Sequence, residues 1–315
     1  MPERFAVLGL DLRVDFPLPG LEPVEVGDAL PAVDVELASA ARLEAAWSGT
    51  AAPGRWRGAL GDGETFEIER GRGGDHLFHY GGRARFHLDA AGRALACCPA
   101  DVADRGWLRA LLTKVLPNVA IANGREALHA AAVADEGGAI LVAGPSGGGK
   151  SSLALELVRR GRRFLADDIV VLERREGGIV AHPAGPFANL PAGQAALSPP
   201  HELLDPGPGK RWVAIAGAMT EPSPVAAVVL LERARGSLLG AWPIDPSPLA
   251  LAPFMLGLPD DDGRDADRFA LYADLVEDAR LVRLTAGAGN GPADLAETLL
   301  RATSSSRPVA VEVAS

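Results

Sequence analysis

Residues Ala139–Leu172 read AILVAGPSGGGKSSLALELVRRGRRFLADDIVVL, and this stretch decides the predicted fold. The apolar run Ala139–Ala143 predicts a buried strand, and Gly144–Ser151 fits G-x-x-x-x-G-K-[ST], the pattern of a phosphate-binding loop. The spacing of apolar residues in Ser152–Arg160 predicts a helix, which Gly161 ends. A second apolar strand follows. The order of strand, loop, helix and strand predicts an α/β nucleotide-binding core.

The loop supplies the groups that the phosphates of a nucleotide need. Its glycines let backbone N–H groups turn toward phosphate oxygens, and the next helix adds the positive end of its dipole. The motif places Lys150 at the β- and γ-phosphates and makes the Ser151 hydroxyl a magnesium ligand. We therefore predict that ATP and Mg²⁺ bind at Gly144, Pro145, Ser146, Gly147, Gly148, Gly149, Lys150, Ser151 and Ser152.

Two adjacent carboxylates, Asp167 and Asp168, follow Ser151 by 16 and 17 residues. At the end of a buried run they lose hydration and repel each other unless a cation lies between them, and magnesium bound to ATP would be that cation. One carboxylate would hold the metal while the other takes a proton from an incoming hydroxyl group. The residues alone leave this division of labour open. On spacing alone, His129 is better explained as a structural residue than as a catalytic one.

Composition restricts the function and the location. The 315 residues carry a formal net charge of −10, which argues against a nucleic-acid-binding surface. The two cysteines, Cys97 and Cys98, are adjacent, so a reducing cytoplasm is expected rather than a disulfide-stabilised secreted protein. The N-terminal residues lack the apolar core of a signal peptide, and no apolar run is long enough to span a membrane. We predict a cytoplasmic protein without nucleic-acid or membrane partners.

Local patterns divide the chain into three parts. Residues 1–122 predict a β-rich domain closed by helices, residues 123–302 the nucleotide-binding domain, and residues 303–315 a weakly structured tail. A helix is predicted to begin at Asp101 and to end or kink at Pro117.

Two other segments have patterns of their own. Pro183–Lys210, rich in Pro, Gly and Ala, predicts a long loop. The histidines His76, His79 and His87 lie in predicted strands, and no cysteine or carboxylate at a matching spacing supports a zinc site.

The segment Leu128–Leu172 resembles the catalytic core of bacterial HPr serine kinase/phosphorylase, and more closely the shorter HPr-kinase-related proteins found beside peptide-modification genes. The shared features are His129, the loop Gly144–Ser151, the phrase LELVRRG at Leu155–Gly161, and the triplet Ala166–Asp168. The resemblance implies a phosphate-loop kinase fold similar to phosphoenolpyruvate carboxykinase, preceded here by a small β-rich domain.

The resemblance also implies roles for single residues. Asp168 would be the catalytic base, Asp167 a metal ligand, and His129 an active-site residue beside Lys150. The family carries a further metal-binding Glu, whereas the corresponding region here, Asn189–Gln194, has no acidic residue. This difference argues against phosphorylase chemistry, in which the same apparatus works in reverse, and the peptide-linked N-terminus argues against HPr as the acceptor.

The sequence therefore predicts an ATP-dependent kinase that phosphorylates a hydroxyl group, with Ser on a peptide or small protein as the leading acceptor. Lys210 and Arg211 are candidates for contacts with the acceptor or with the transferring phosphoryl group. A kinase of small-molecule hydroxyls and a degenerate ATP-binding protein without turnover remain as alternatives. The resemblance leaves homo-oligomerisation open.

Overall fold

The computed structural model describes residues 2–24, 29–59, 64–191, 201–205, 210–259 and 262–304. These residues form a mixed α/β structure with two large sheets and one small sheet. The first sheet has eight strands in the order β1-β2-β3-β8-β7-β6-β5-β4. Its strands are β1 Glu3–Val7, β2 Leu10–Val14, β3 Ala32–Leu37, β4 Thr50–Ala59, β5 Thr65–Gly71, β6 His76–Tyr80, β7 Ala84–Leu88 and β8 Ala94–Pro99. The short helix α1, Ala40–Ala46, lies between β3 and β4.

A continuous helical segment follows the first sheet. It consists of α2 (Gly106–Ala110), one π-helical turn (Leu111–Val115) and α3 (Leu116–Ala122). The predicted start at Asp101 is wrong, because the Asp101 carboxylate accepts the N–H of Ala103 at 2.9 Å in a turn before the helix. Pro117 does not end the helix. A proline ring clashes with the carbonyl four residues earlier, and the wider turn just before Pro117 relieves that clash.

The second sheet has ten strands, and it carries the glycine-rich loop. Its main path is β12-β10-β11-β18-β14-β13-β9-β20, and β21 joins it between β18 and β19. The strands are β9 Glu126–Leu128, β10 Ala130–Asp135, β11 Gly138–Ala143, β12 Arg163–Ala166, β13 Val170–Arg175, β14 Gly178–His182, β18 Ser223–Arg233, β19 Leu239–Pro243, β20 Met255–Leu256 and β21 Arg280–Ala286. The strands β11, β18 and β21 are parallel to one another.

Helices cover both faces of this sheet, which explains why its strands are continuous apolar runs. The helices are α4 Lys150–Arg159, α5 Asp265–Asp278 and α6 Pro292–Ser304, with 3₁₀ turns at Pro248–Ala250, Ala252–Phe254 and Asp262–Arg264. On β10, Ala131 and Val133 pack in the core beneath α4 and α6, whereas Ala132 and Ala134 pack in the core beneath α5. The sheet is thus the middle layer of three.

The loop predicted over Pro183–Lys210 is wrong for the residues that the structure describes there. A three-stranded sheet in the order β15-β17-β16 occupies this region, with β15 Phe187–Pro191, β16 His201–Asp205 and β17 Lys210–Ile215. The rings of Phe187 and Trp212 stack with centroids 5.2 Å apart. Frequent Pro and Gly residues made the short apolar runs look like a loop, but long-range packing of these two aromatic rings overrides that local signal.

The first sheet and the second share one apolar core. Leu111 and Val115 of the helical segment, Val171 of β13, and Phe187 and Trp212 of the small sheet belong to the same buried cluster as the first sheet. The boundary after residue 122 therefore lies inside packed structure, and the division into domains stays a prediction. Helix α6 continues to Ser304, and residues 305–315 of the predicted tail lie outside the described residues. Among the helices that the structure describes, none is long and apolar enough to cross a membrane.

Candidate functional site

The glycine-rich loop Gly144–Gly149 leaves the C-terminal end of β11 and leads directly into α4. Gly147 and Gly149 have φ angles of 74° and 103°, a region that disfavours residues with a Cβ atom. At Gly144, a Cβ atom would lie 2.6 Å from the carbonyl oxygen of Leu231, so only glycine lets the loop pass so close to β18. The N-terminus of α4 thus opens at the C-terminal edge of parallel strands, where α/β proteins bind ligands.

Lys150, the first residue of α4, is buried with its ammonium group over the loop. Its Nζ donates to the carbonyl oxygens of Gly144 at 2.9 Å and Pro145 at 3.1 Å, and lies 3.0 Å from Nε2 of His129. Burial lowers the pKa of Lys150, while the neighbouring Asp168 and Asp167 raise it. The lysine is therefore held in place by fixed acceptors rather than extended into solvent.

His129 lies between β9 and β10 and links two parts of the site. Its Nδ1 is 2.8 Å from the backbone carbonyl oxygen of Asp168, which only accepts hydrogen bonds, so Nδ1 carries the proton. Its Nε2 then accepts from the Lys150 ammonium group. Burial lowers the pKa of His129, which agrees with a neutral ring in this position.

Asp167 follows β12 and faces the start of α4. The Ser151 hydroxyl donates to one carboxylate oxygen at 2.6 Å, and the backbone N–H of Asn189 donates to the other at 3.1 Å. Burial raises the pKa of Asp167, and the negative charge of Asp168 raises it further. Both hydrogen-bond donors are neutral, so the negative charge of this carboxylate has no direct cationic partner in these contacts.

Asp168 has a different environment, although it is the next residue. Its backbone has a φ angle of 73°, a left-handed conformation that is uncommon for a residue other than glycine. Lys114 forms an ion pair with its carboxylate, and Nδ1 of His129 lies 3.4 Å from the other oxygen. Burial raises the pKa of Asp168, but Lys114, His129 and Lys150 together outweigh burial and lower it to about 2.

The residues present suit one magnesium ion. Among the described residues, no group of three or more His, Cys, Asp and Glu side chains is arranged to hold a metal. Magnesium, however, is usually held by one or two protein oxygens together with substrate phosphates and water. The Ser151 hydroxyl and the Asp167 carboxylate are two such oxygens in direct contact beside the loop.

Lys210 and Arg211, the two residues predicted to contact the acceptor or the phosphoryl group, occupy different positions relative to the loop. Lys210 and Arg211 begin β17 and are both exposed, and they face Pro191 and Leu190 of β15. The charge of Lys210 is one of those that lower the pKa of Lys150, so Lys210 lies within electrostatic range of the loop. Arg211 points to the opposite face of the strand because successive strand residues alternate. Of the segment that lacks the family's Glu, residues 192–194 lie outside the described part of the chain.

Two residues of the site were missed in the sequence. Arg233, at the end of β18, donates from Nε to the carbonyl oxygen of Gly148 at 2.9 Å and from Nη1 to that of Asn290 at 3.2 Å. Lys114 reaches Asp168 from the π-helical turn. The rarity of lysine in the sequence could have indicated Lys114. The chain has 31 Lys and Arg residues, but only three of them are lysines, Lys114, Lys150 and Lys210. The structure places two of them in the site and the third at its edge.

Comparisons with known proteins found similarity in the central segment of the chain. A family model described as HPr Serine kinase C-terminal domain matches residues 121–186. The HPr kinase/phosphorylase of Limosilactobacillus reuteri (strain DSM 20016) is 50% identical over 52 residues, 16% of each chain. That of Geobacillus sp. (strain WCH70) is 44% identical over 54 residues, 17% of each chain. The matched stretch therefore spans about a sixth of these relatives.

A solved structure was also matched. The Hpr(Ser) kinase/phosphatase from Coxiella burnetii is 14% identical with a TM-score of 0.28, over 56% of this chain and 93% of that chain. The family model places the similarity to HPr kinases in the segment that holds His129, the glycine-rich loop and the two aspartates. The names of the curated relatives agree with that family.

Proposed function

We propose that this chain is an ATP-dependent kinase that transfers a γ-phosphoryl group to a hydroxyl, with Ser on a peptide or small protein as the acceptor. The observation that carries the proposal is the position of His129, which hydrogen-bonds both Lys150 and Asp168. The candidate phosphate clamp and the candidate base are thereby held at one place. A glycine-rich turn with only a structural role would not need a buried lysine and two adjacent carboxylates, one of them buried, around it.

The glycine-rich loop and the N-terminus of α4 would bind the phosphates of ATP through backbone N–H groups. Lys150 would exchange its carbonyl acceptors for oxygens of the β- and γ-phosphates. Ser151 and Asp167 would hold magnesium, whose charge, when bound, offsets the charge that develops on the phosphate oxygens. A cation at this place would also offset the negative charge of Asp167, whose pKa is raised by burial.

Asp168 would act on the acceptor. Its carboxylate takes the proton of the acceptor hydroxyl as the oxygen forms a bond to the γ-phosphorus. The bond between that phosphorus and the oxygen bridging to the β-phosphate breaks, and ADP leaves with the electron pair. His129, neutral and bonded to the Asp168 carbonyl, keeps the base and Lys150 in fixed relative positions. The products are a phosphorylated acceptor, ADP and a proton on Asp168.

A protein or peptide acceptor is proposed from the relatives. The curated relatives are named HPr kinase/phosphorylase, so they act on a protein. The match covers only 16–17% of their length. The family model matches residues 121–186, which contain the segment that we assign to ATP and to the base. The acceptor of this chain would therefore be chosen by other parts of it, and Ser hydroxyls of proteins other than HPr belong in the test.

The test is transfer of label from γ-labelled ATP, with the acceptor checked by mass for the gain of one phosphate. The acceptors are Ser-containing peptides and small proteins, the same peptides with Ala for Ser, and a panel of small-molecule alcohols. We expect wild type to label Ser peptides and Asp168→Asn not to. The control Asp34→Asn changes an aspartate whose side chain is 71% exposed.

The remaining outcomes distinguish the alternatives. Labelling of alcohols but of no peptide would show a small-molecule kinase. Binding of ATP and magnesium without transfer to any acceptor or to water would show a degenerate protein. Equal transfer by wild type and Asp168→Asn would refute the assigned base.

A further inference from the structure

Lys114 contacts the candidate base, although it lies outside the residues matched to the HPr kinase domain. Its ammonium group pairs with Oδ2 of Asp168, and both side chains are about one-fifth exposed. Among the described residues, this is the one ion pair of the Asp168 carboxylate with a lysine or arginine. His129 cannot take the same role, because its Nδ1–H is already directed at the Asp168 carbonyl oxygen.

The helix holds Lys114 firmly in position. Leu111, Leu112 and Val115 of the π-helical turn and Leu116 after it are buried in the shared apolar core. The carbonyl oxygen of Lys114 accepts from the side-chain amide of Asn118 at 2.7 Å. A π turn changes which residues of a helix point to one side, and such turns are often found at functional sites. Here the turn contains Lys114, whose side chain reaches Asp168 from the helix.

Composition supports a specific role for this lysine. The chain uses arginine almost everywhere, with three lysines among 31 basic residues. Lys150 begins α4 directly after the glycine-rich loop, and Lys210 is close enough for its charge to act on Lys150. A lysine ammonium is a compact charge with three donors, whereas a guanidinium group is a broad planar fork, so the two do not hold a carboxylate in the same geometry.

We propose that Lys114 is a positioning residue for Asp168, fixing the direction of its carboxylate toward the acceptor hydroxyl. The inference rests on the proposed kinase function and extends the site to the helical segment Gly106–Ala122. The backbone of Asp168 is fixed by its left-handed conformation and by His129, but its carboxylate can still rotate. Lys114 supplies the missing constraint. The geometry of the base thus depends on a helix that packs with the first sheet.

The test is steady-state kinetics on Lys114→Met and Lys114→Arg in the full chain. Methionine keeps the length of the side chain and removes its charge. We expect kcat to fall about 100-fold, the loss typical of a misplaced catalytic group, while KM for ATP changes little. Lys114→Arg should recover part of the lost kcat. Arg85→Met removes a surface cation that pairs with Glu44, and it should leave kcat unchanged. Thermal unfolding checks that each variant is folded, and Lys114→Gln replaces Lys114→Met if that variant is not.

A double-mutant cycle decides whether Lys114 acts through Asp168. If it does, Lys114→Met combined with Asp168→Asn will be no slower than Asp168→Asn alone. A further loss in the double variant would mean that Lys114 acts on the phosphoryl group directly, which overturns the positioning role. Wild-type kcat in Lys114→Met, or a higher one, also overturns it and leaves the kinase proposal intact. Absence of turnover in wild type would overturn both.

Discussion

Asp75, just before β6 of the first sheet, and Asp168 in the candidate site are both aspartates with a histidine neighbour, yet they are held in different ways. Asp75 accepts from the Ser48 hydroxyl at 2.5 Å and from its N–H at 3.2 Å, and Nε2 of His87 lies 2.9 Å away. These hydrogen bonds join one turn to the neighbouring strand. Asp168 is instead surrounded by basic side chains from the helical segment, the β9–β10 junction and α4.

The difference separates a structural carboxylate from one suited to chemistry. Burial raises the pKa of Asp75, but hydrogen bonds from Ser48 and His87 outweigh it and lower the pKa. Such a network stabilises the fold and leaves the carboxylate no free side for a ligand. At Asp168, the left-handed backbone costs conformational energy and the charges come from distant segments. Strain and converging charge around one carboxylate are typical of functional sites.

The largest expected effect is a loss of activity on substitution of Asp168, which distinguishes it from Asp75. Asp168→Asn should lower kcat for phosphoryl transfer by about 10³-fold, because an amide cannot take the acceptor proton. Its melting temperature should change little, since asparagine tolerates the left-handed backbone that residue 168 adopts. Initial rates and thermal unfolding of the same preparation measure both. A large loss of stability with an unchanged rate would make Asp168 the structural aspartate.

The reverse pattern is expected for the aspartate of the first sheet. Asp75→Ala leaves the donors of Ser48 and His87 without their acceptor in a buried place. The free energy of unfolding should fall by about 2–3 kcal/mol, while kcat stays within about twofold of wild type. Denaturant unfolding and initial rates test this, with Asp34→Asn as the exposed control. A 100-fold loss of kcat in a folded Asp75→Ala would show that the first sheet takes part in the chemistry.

His76, next to Asp75 in sequence, provides a test by pH. Burial lowers its pKa to about 4, and its Nε2 has no hydrogen-bond partner among the described residues. The unfolded state binds a proton near pH 6.5, whereas the folded state does not until about pH 4. Stability is therefore lost as the pH falls through this range, by on the order of 3 kcal/mol from this group.

His76→Phe should remove this part of the pH dependence of unfolding. Buried His182, whose pKa burial also lowers to about 4, keeps its own contribution. The free energy of unfolding at pH 7, 5.5 and 4 measures the slope for wild type and variant. An unchanged slope would show that His76 is accessible to protons in the folded state.

The sequence predicted one side of the site better than the other, and the reason is physical. The glycine-rich loop and the aspartates lie in one continuous stretch, where local spacing determines strand, turn and helix. Lys114 and Asn189 reach the aspartates from segments far away in sequence, so only packing places them there. The small sheet was missed for a similar reason, because the stacking of Phe187 on Trp212 is a long-range contact.

The smallest expected effect concerns the two exposed basic residues of β17. Lys210→Met should lower kcat/KM about threefold, because an exposed charge near Lys150 attracts the phosphates only weakly through water. The effect should shrink further as salt is added, since ions screen exposed charges. Arg211→Met is the matched control, because its side chain points to the other face of the strand and should leave kcat/KM unchanged. Two results would contradict long-range attraction: an equal loss of kcat/KM in both variants, or a loss that added salt does not weaken. Either result would indicate a direct contact with the acceptor. The cationic side of the site would then extend from Lys114 across the loop to β17.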